Sequence, residues 1–514
     1  MRSIGLWVGM VGFAMLAPQG IAGCFAYEED CELTQQCAPP GGSGGSGGST
    51  PAACMPSEAG GPVGDECGVF VGGAAASDEN AGSKAAPVAT LGAAIAMAGG
   101  KGGRVYACNE EFGEAIEVPA GVEIYGGLDC AGEWKYVEGQ KTTIAPAADQ
   151  VPVTLLGGEG ARIEDVAATA ADAATPGGSS IAVIAQEGAV VELLRCELRA
   201  GAGAAGAAGE TPTEVGANGE GQNGKNGVDG IDNGMACTTM TGSLGGSGGQ
   251  LTCNGIDVSG GRGGAGTPDN IGGDANDGQP QPGPMPLDGK RGIGQPDTGQ
   301  CSQGNGGALG MPGLSGPGAT GIGDISGSGY TAASASPGMS VGTPGQGGGG
   351  GGGARKCPNN NAGPSGGGGG SGGCGGAAGK GGGAGGSSIG LLSHQAKVTL
   401  RKVAITTAAG GAGGVGGKGQ AGGAGGQPGL GGAANSCPGG LGGAGGRGGA
   451  GGGGLGGHSV GIASKGPAPV EDGVTINAGT AGAGGVGGDG DVATQGANGQ
   501  GCKTLNFDEA GSCQ

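Results

Sequence analysis

Positive charge, histidine and aromatic side chains are all scarce in this chain, and each shortage removes a class of function. Lys and Arg number 23 against 43 Asp and Glu, giving a net charge of −20 over 514 residues. Nucleic acids and anionic lipid surfaces demand a basic patch, so nucleic acid is excluded as a partner. With two histidines and no C-x-x-C spacing, neither a metal site nor a cofactor site is expected. Five Phe, five Tyr and two Trp are too few for a sandwich core of this length. A parallel β-helix, filled by ladders of Val, Ile and Leu, has no such need. The N-terminal apolar run, Ile4 to Ala17, falls short of the roughly 20 residues that span a bilayer; behind Arg2 it has the form of a signal-peptide core.

Glycine is what abounds, with 145 residues, and three less glycine-rich stretches copy one another. They read SSIAVIAQEGAVVELLRCELRAG (Ser179 to Gly201), SSIGLLSHQAKVTLRKVAITTAAG (Ser387 to Gly410) and HSVGIASKGPAPVEDGVTINAGT (His458 to Thr480). Apolar residues alternate within each, opening with Ile181/Val183, Ile389/Leu391 and Val460/Ile462. A unit this small cannot bury its own face and must stack on neighbours. The copies therefore predict consecutive coils of one spiral, with Ile181, Ile389 and Val460 in a single interior column.

The expected fold class is all-β: a right-handed parallel β-helix with a short N-terminal capping helix, interrupted by long glycine-rich insertions. Strands are expected at 69–71, 104–108, 115–118, 122–125, 142–144, 153–156 and 162–166, and Thr90 stands as the N-cap of a helix over 91–98. The division along the chain is 1–23 signal peptide, 24–66 flexible Gly/Ser tether, 67–200 β-helix, 201–386 insertion, 387–408 coil, 409–457 insertion, 458–478 coil and 479–514 glycine-rich C-terminal segment. Both insertions leave after the last strand of a copy, so they should emerge from one corner and build one lobe. Glycine at every third residue, mostly as G-G-x, fits extended threefold strands packed as in polyglycine II. A disordered brush is the rival reading, and residues 201–300, with broken periodicity, are the part expected to be mobile.

Ile21-Ala22-Gly23-Cys24 resembles a bacterial lipobox, which implies acylation of Cys24 and a membrane partner through that lipid anchor; a conventional cleavage site is the alternative. Phe25 rather than Asp after it implies the outer membrane or cell surface. Export implies an oxidising compartment. Cys196 aligns with Val403 and Val474 and so reads as a buried, unpaired apolar residue. Near neighbours suggest Cys31 with Cys37, Cys54 with Cys67, Cys108 with Cys130, Cys237 with Cys253, Cys357 with Cys374 and Cys502 with Cys513, leaving Cys301 for Cys437, although spacing does not determine connectivity.

Residues 68–209 resemble a known family, through SDENAGSKAAPVATLGAAI (Ser77 to Ile95), RVYAC (Arg104 to Cys108), VPAGVEIYGGLDC (Val118 to Cys130) and SSIAVIA (Ser179 to Ala185). It is that of bacterial glycine-rich, PGRS-like surface proteins with a pectin lyase-like right-handed β-helix. The resemblance implies fold and location more than activity.

No catalytic constellation emerges. GGHSVGIAS around His458 lacks the partners of a polygalacturonase motif, and His394 has no acid or nucleophile nearby in sequence. Glu164-Asp165 is the one adjacent acidic pair on an expected strand, and strand alternation assigns its members to opposite faces. The leading expectation is a non-enzymatic surface lipoprotein of structural or adhesive type, with surface glycans or matrix as partners. A carbohydrate-binding or carbohydrate-active β-helix is the alternative, and its groove would draw on Trp134, Tyr106, Tyr125 and Tyr136.

Overall fold

The computed structural model describes residues 54–514 apart from 60, 100–102, 214–218, 229–242, 284–285, 358–360, 434 and 509–511. In chain order the elements are β1 (Val69–Val71), α1 (Leu91–Ala98), β2 (Arg104–Cys108), β3 (Glu111–Phe112), β4 (Ile116–Val118), β5 (Glu123–Asp129), β6 (Lys135–Tyr136), β7 (Thr142–Ile144), β8 (Val153–Leu155), β9 (Gly158–Glu164), β10 (Val166–Ala170), β11 (Ser180–Ala185), β12 (Ala189–Leu194) and β13 (Glu197–Ala200). Hairpins β14 (Thr252–Cys253) with β15 (Ile256–Asp257) and β16 (Asp324–Ser326) with β17 (Gly329–Thr331) lie within the first insertion. Then come β18 (Ser388–His394), β19 (Lys397–Arg401), β20 (Ala404–Thr407), β21 (Ser459–Lys465), β22 (Val470–Asp472), β23 (Thr475–Asn477), β24 (Gly501–Asn506) and β25 (Ser512–Cys513).

The fold is all-β with three parallel sheets, and the chain visits them in rotation. The first sheet runs β1-β2-β5-β9-β12-β19-β22, the second β3-β7-β10-β13-β20-β23, and the third β4-β8-β11-β18-β21-β24. Strands far apart in sequence meet in register because the copies are equivalent. Ile181 pairs Ile389, which pairs Val460. Ladders of like residues fill the interior. Ile124, Ile163, Leu193 and Leu400 stack in the first sheet, Phe112, Ile144, Ala168, Leu198 and Ile405 in the second, and Val153, Val183, Leu391 and Ile462 in the third. Burying such side chains is worth about 1.5–3 kcal/mol each.

The expected interior column needs one correction. Ile181, Ile389 and Val460 do form a column, but on the outer face of the third sheet, beneath Ile325 and Tyr330 of the β16–β17 hairpin. Ala182 and Val183 both belong to the interior cluster, so two successive residues face inward and alternation breaks. Gly390 occupies the place of Ala182, and a methyl added there would fall on Ile405.

Helix α1 closes the N-terminal end as expected. Thr90 Oγ1 accepts from the Ala93 N–H (3.2 Å), and Glu114 takes the free N–H groups of Leu91 (2.6 Å) and Gly92 (3.1 Å). Leu91, Ala94, Ile95 and Ala98 join the interior cluster. The described residues of 54–66, placed in the tether by sequence, instead pack on the outside of the first sheet. The Cys54–Cys67 disulfide holds them there, Val63 is buried, and Tyr106 donates to the Cys54 carbonyl (2.7 Å). At the other end, the 479–514 segment returns to the third sheet as β24, capped by β25 and the Cys502–Cys513 disulfide.

Insertions leave after β13 and β20 and return before β18 and β21, one above another. In the lobe they form, segment 366–374 shows the organising rule. The N–H groups of Gly366, Gly369 and Gly372 donate to Gly264, Gly261 and Val258; those of Gly367, Gly370 and Gly373 to Cys437, Gly440 and Gly443; and those of Gly368, Ser371 and Cys374 to Lys225, Gln222 and Gly219, all at 2.8–3.0 Å. Its carbonyls accept from 246–249, 345–351 and 423–429 in the same rotation. Successive residues thus point about 120° apart, as a threefold strand requires, and neighbours surround the segment on every side. A methyl on Gly369 would fall on the Gly348 carbonyl oxygen, so no side chain fits there.

Glycine content per triplet follows the number of neighbours. Residues 338–346 carry glycine at 338, 342 and 345, where 308–314, 373–379 and 440–449 flank them. At Gly347 the run becomes seven glycines, where 261–267, 273–279 and 292–295 also close in. Segment 410–427 has one open side, and Ala412, Val415, Lys418, Ala421 and Ala424 face out along it. The described parts of 201–300, expected to be mobile, are held in the same network: the Gly260 N–H donates to the Gly249 carbonyl (2.8 Å) and the Asn276 N–H to that of Arg262 (2.8 Å).

Candidate functional site

The outer face of the first sheet carries the densest chemistry among the described residues. Register aligns two outward columns on it: Arg104, Glu123, Arg162 and Glu192, and beside them Tyr106, Tyr125, Glu164 and Leu194. In the N-terminal half the second column is aromatic. Phe70 stacks on Tyr106 (5.1 Å between centroids), Tyr106 on Tyr125 (5.4 Å), and Trp134 meets Phe70 edge-on (4.9 Å). These rings are buried beneath Cys54, Val63, Cys67 and the Cys108–Cys130 disulfide. The aromatic groove expected for a glycan is therefore a closed hydrophobic cluster: Trp134, Tyr106 and Tyr125 expose 4%, 0% and 1%, and Tyr136 packs against them.

Further along, charge replaces the rings. Arg195 reaches both Glu164 Oε2 (2.7 Å) and Asp165 Oδ2 (2.7 Å), and Arg162 lies 2.5 Å from Glu164 Oε1. Glu192 bridges Arg162 (3.4 Å) and Arg401 (3.1 Å), while Lys141 approaches Asp165 (3.8 Å). Alternation assigns Glu164 and Asp165 to opposite faces, and the structure overturns this. The expected single strand 162–166 is two strands, β9 and β10, meeting at Asp165 in the left-handed region (φ 52°). That corner turns Asp165 back toward its neighbour, and Arg195 (φ 53°) and Lys402 (φ 52°) occupy the same corner in later turns.

Burial pushes the Glu164 carboxyl above the ordinary glutamate range, against the pull of Arg162 and Arg195. Both carboxylates are only 2% exposed and engaged by the Arg162 and Arg195 guanidinium groups, so no sugar ring reaches between them. The cluster ties successive strands together on the outer face of the sheet.

Both histidines are accounted for. His458 is 1% exposed; the Gln500 backbone N–H donates to its Nδ1 (2.9 Å), so Nε2 carries the proton and donates to the Ile322 carbonyl (3.0 Å). Burial lowers its pKa, which keeps the ring neutral, and Tyr330 packs edge-on against it (5.4 Å). This is a fastening between the coil and the β16–β17 hairpin. His394 ends β18, half-buried, paired in register with Lys465.

The cysteines divide into pairs that match the spacing and pairs that depart from it. Cys54–Cys67, Cys108–Cys130, Cys301–Cys437 and Cys502–Cys513 are bonded as spacing suggests. Cys253 pairs with Cys374, which excludes both Cys237–Cys253 and Cys357–Cys374. Cys357 is also disulfide-bonded. Cys196 is buried and free, its thiol pushed up to about 12 by burial. Cys24, Cys31, Cys37 and Cys237 lie outside the described residues.

Sequence reasoning misses a polar groove on the lobe, flanked by Gln250, Arg262, Asn276, Asp277, Gln279 and Arg291. Its residues lie in the stretch with the least regular glycine spacing, where only the fold brings 247–262 and 276–291 side by side. The molecule is thus an all-β, parallel-sheet protein with a hydrogen-bonded glycine lobe. No family model, curated protein or solved structure matches the chain.

Proposed function

We propose that this protein is a non-enzymatic cell-surface lipoprotein of structural or adhesive type, anchored in the outer membrane through acylated Cys24, of the PGRS-like kind that residues 68–209 resemble. Its three sheets wind as a right-handed parallel β-helix, and its glycine segments pack as in polyglycine II. Supporting the winding is the cyclic order of the sheets, since parallel crossovers are right-handed in about 98% of cases. The observation that carries the functional reading is the lobe itself. Its interior glycines meet neighbouring backbone, whereas positions on open sides, such as Val415, Lys418 and Leu430, carry exposed side chains. Such a body presents a large fixed surface. The carbohydrate-active alternative loses ground because its aromatic face is buried and its acidic pair is neutralised.

Metabolic labelling with a fatty-acid analogue tests the anchor. Wild type should carry the label and fractionate with membranes, and Cys24→Ala should lose both properties. Labelling that persists in Cys24→Ala, or polysaccharide turnover by the purified protein, would defeat the reading.

A further inference from the structure

The groove on the lobe measures about 560 Å³ and is built unlike the rest of the surface. Its floor is Ser259-Gly260-Gly261, buried because these residues face neighbouring segments. Along segment 258–264 the buried Ser259 and, three residues on, the exposed Arg262 share one side of the threefold strand. The flanking segments contribute Gln250 on one side and Asn276, Asp277, Gln279 and Arg291 on the other. A trough walled by long polar side chains follows directly from the threefold repeat.

The lining contains no aromatic and no large aliphatic side chain. A peptide partner uses apolar anchors filling pockets, and none is offered here. Ser, Asn, Gln and Asp groups in a row instead match a ligand that is hydroxylated along its whole length. Charge narrows the class. Ion pairs among the described residues engage Arg104, Arg162, Arg195, Arg199, Arg355 and Arg401, but neither Arg262 nor Arg291. Of the two acids, Asp277 Oδ1 accepts the Arg291 backbone N–H (2.8 Å) and Asp257 Oδ1 accepts the Ser259 N–H (2.9 Å), so each shapes its own segment. Two unpaired guanidinium groups on a chain of net charge −20 stand out against the prevailing field. Planar guanidinium forks suit carboxylate and sulfate oxygens bidentately.

We infer that this groove binds an anionic oligosaccharide, with Arg262 and Arg291 on its carboxylate or sulfate groups and Gln250, Asn276 and Gln279 on its hydroxyls. This deepens the adhesive reading by naming the site and ligand class, and it does not depend on acylation.

Calorimetric titration of the purified full chain tests it with three probes of equal length: a uronate oligosaccharide, a sulfated one and a neutral glucan. At least one anionic probe should bind tenfold or more tightly than the glucan, and binding should weaken with added salt. The uronate and sulfate arms tell the two anion sources apart. Arg262→Ala and Arg291→Ala should each weaken binding fivefold or more, with Arg262→Lys between Ala and wild type. Both sites are exposed, and matching melting curves verify the fold. Equal affinity for the glucan, wild-type affinity in both alanine variants, or no anionic binding at millimolar concentration would overturn the inference. Arginine-dependent binding accompanied by turnover would uphold the groove while defeating the non-enzymatic reading.

Discussion

The coil and the glycine lobe solve the same problem from opposite ends. In the coil, side chains such as Ile163, Leu193 and Leu400 fill the space between sheets, and backbone groups pair only with strands above and below. In the lobe the interior is nearly bare of side chains, and an enclosed segment such as 366–374 bonds to six neighbours, three through its N–H groups and three through its carbonyls. A coil core tolerates exchange among aliphatic residues of similar volume. Interior lobe positions such as Gly369 and Gly370 accept glycine alone, because the Cβ direction ends on a neighbour's carbonyl. The lobe also surrenders the most backbone entropy on folding and has little apolar burial to set against it. Hydrogen bonds, worth about 0.5–1.5 kcal/mol each, and the Cys253–Cys374 and Cys301–Cys437 disulfides carry that burden.

Substitution inside the lobe should have the largest effect. Gly369→Val puts a side chain onto the Gly348 carbonyl with no rotamer to escape into, and should cost roughly 4 kcal/mol or more. Val415→Ala, on the open side of the same lobe, should change stability by less than about 0.5 kcal/mol. Chemical denaturation monitored by circular dichroism measures both, and equal effects would erase the distinction. In the coil, Leu391→Ala leaves a cavity that should cost about 2–5 kcal/mol, with Leu391→Met close to neutral. Comparable losses for the two would show that the coil core is as intolerant as the lobe.

Much of this contrast is legible in the sequence. Equivalent positions in the three copies identify partners across hundreds of residues, and Thr90 marks the start of α1. Glycine per triplet reports how many sides of a segment are covered. Other features depend on through-space facts. The left-handed corner at Asp165 uses a residue with no glycine to mark it, so alternation read from sequence runs one residue too far. The inward pair Ala182–Val183 breaks the period-2 pattern with no glycine or proline to mark it. Cys253–Cys374 joins segments that only the packing of the lobe makes adjacent.

Removing that disulfide by Cys253→Ser with Cys374→Ser should cost about 2–4 kcal/mol and lower the lobe's transition more than the coil's. Coincident shifts of both transitions would show that the two regions unfold as one. The smallest effect concerns pH. An unfolded histidine titrates near 6.5 and folded His458 below that, so the unfolded chain binds more protons between those values. Stability contributed by the neutral ring is complete above 6.5 and is lost as pH falls toward the depressed folded value. His458→Gln should flatten that part of the pH–stability curve, and an unchanged slope would assign the acid sensitivity elsewhere.

Amide hydrogen exchange reads the lobe's order residue by residue. Every amide from Gly366 to Gly373 should be protected, whereas in 411–426 protection should recur with period three, strong at Gly411, Gly414, Gly417, Gly423 and Gly426 and weak at Ala412, Val415, Ala421 and Ala424. Rapid, aperiodic exchange through both segments would contradict an ordered glycine lobe.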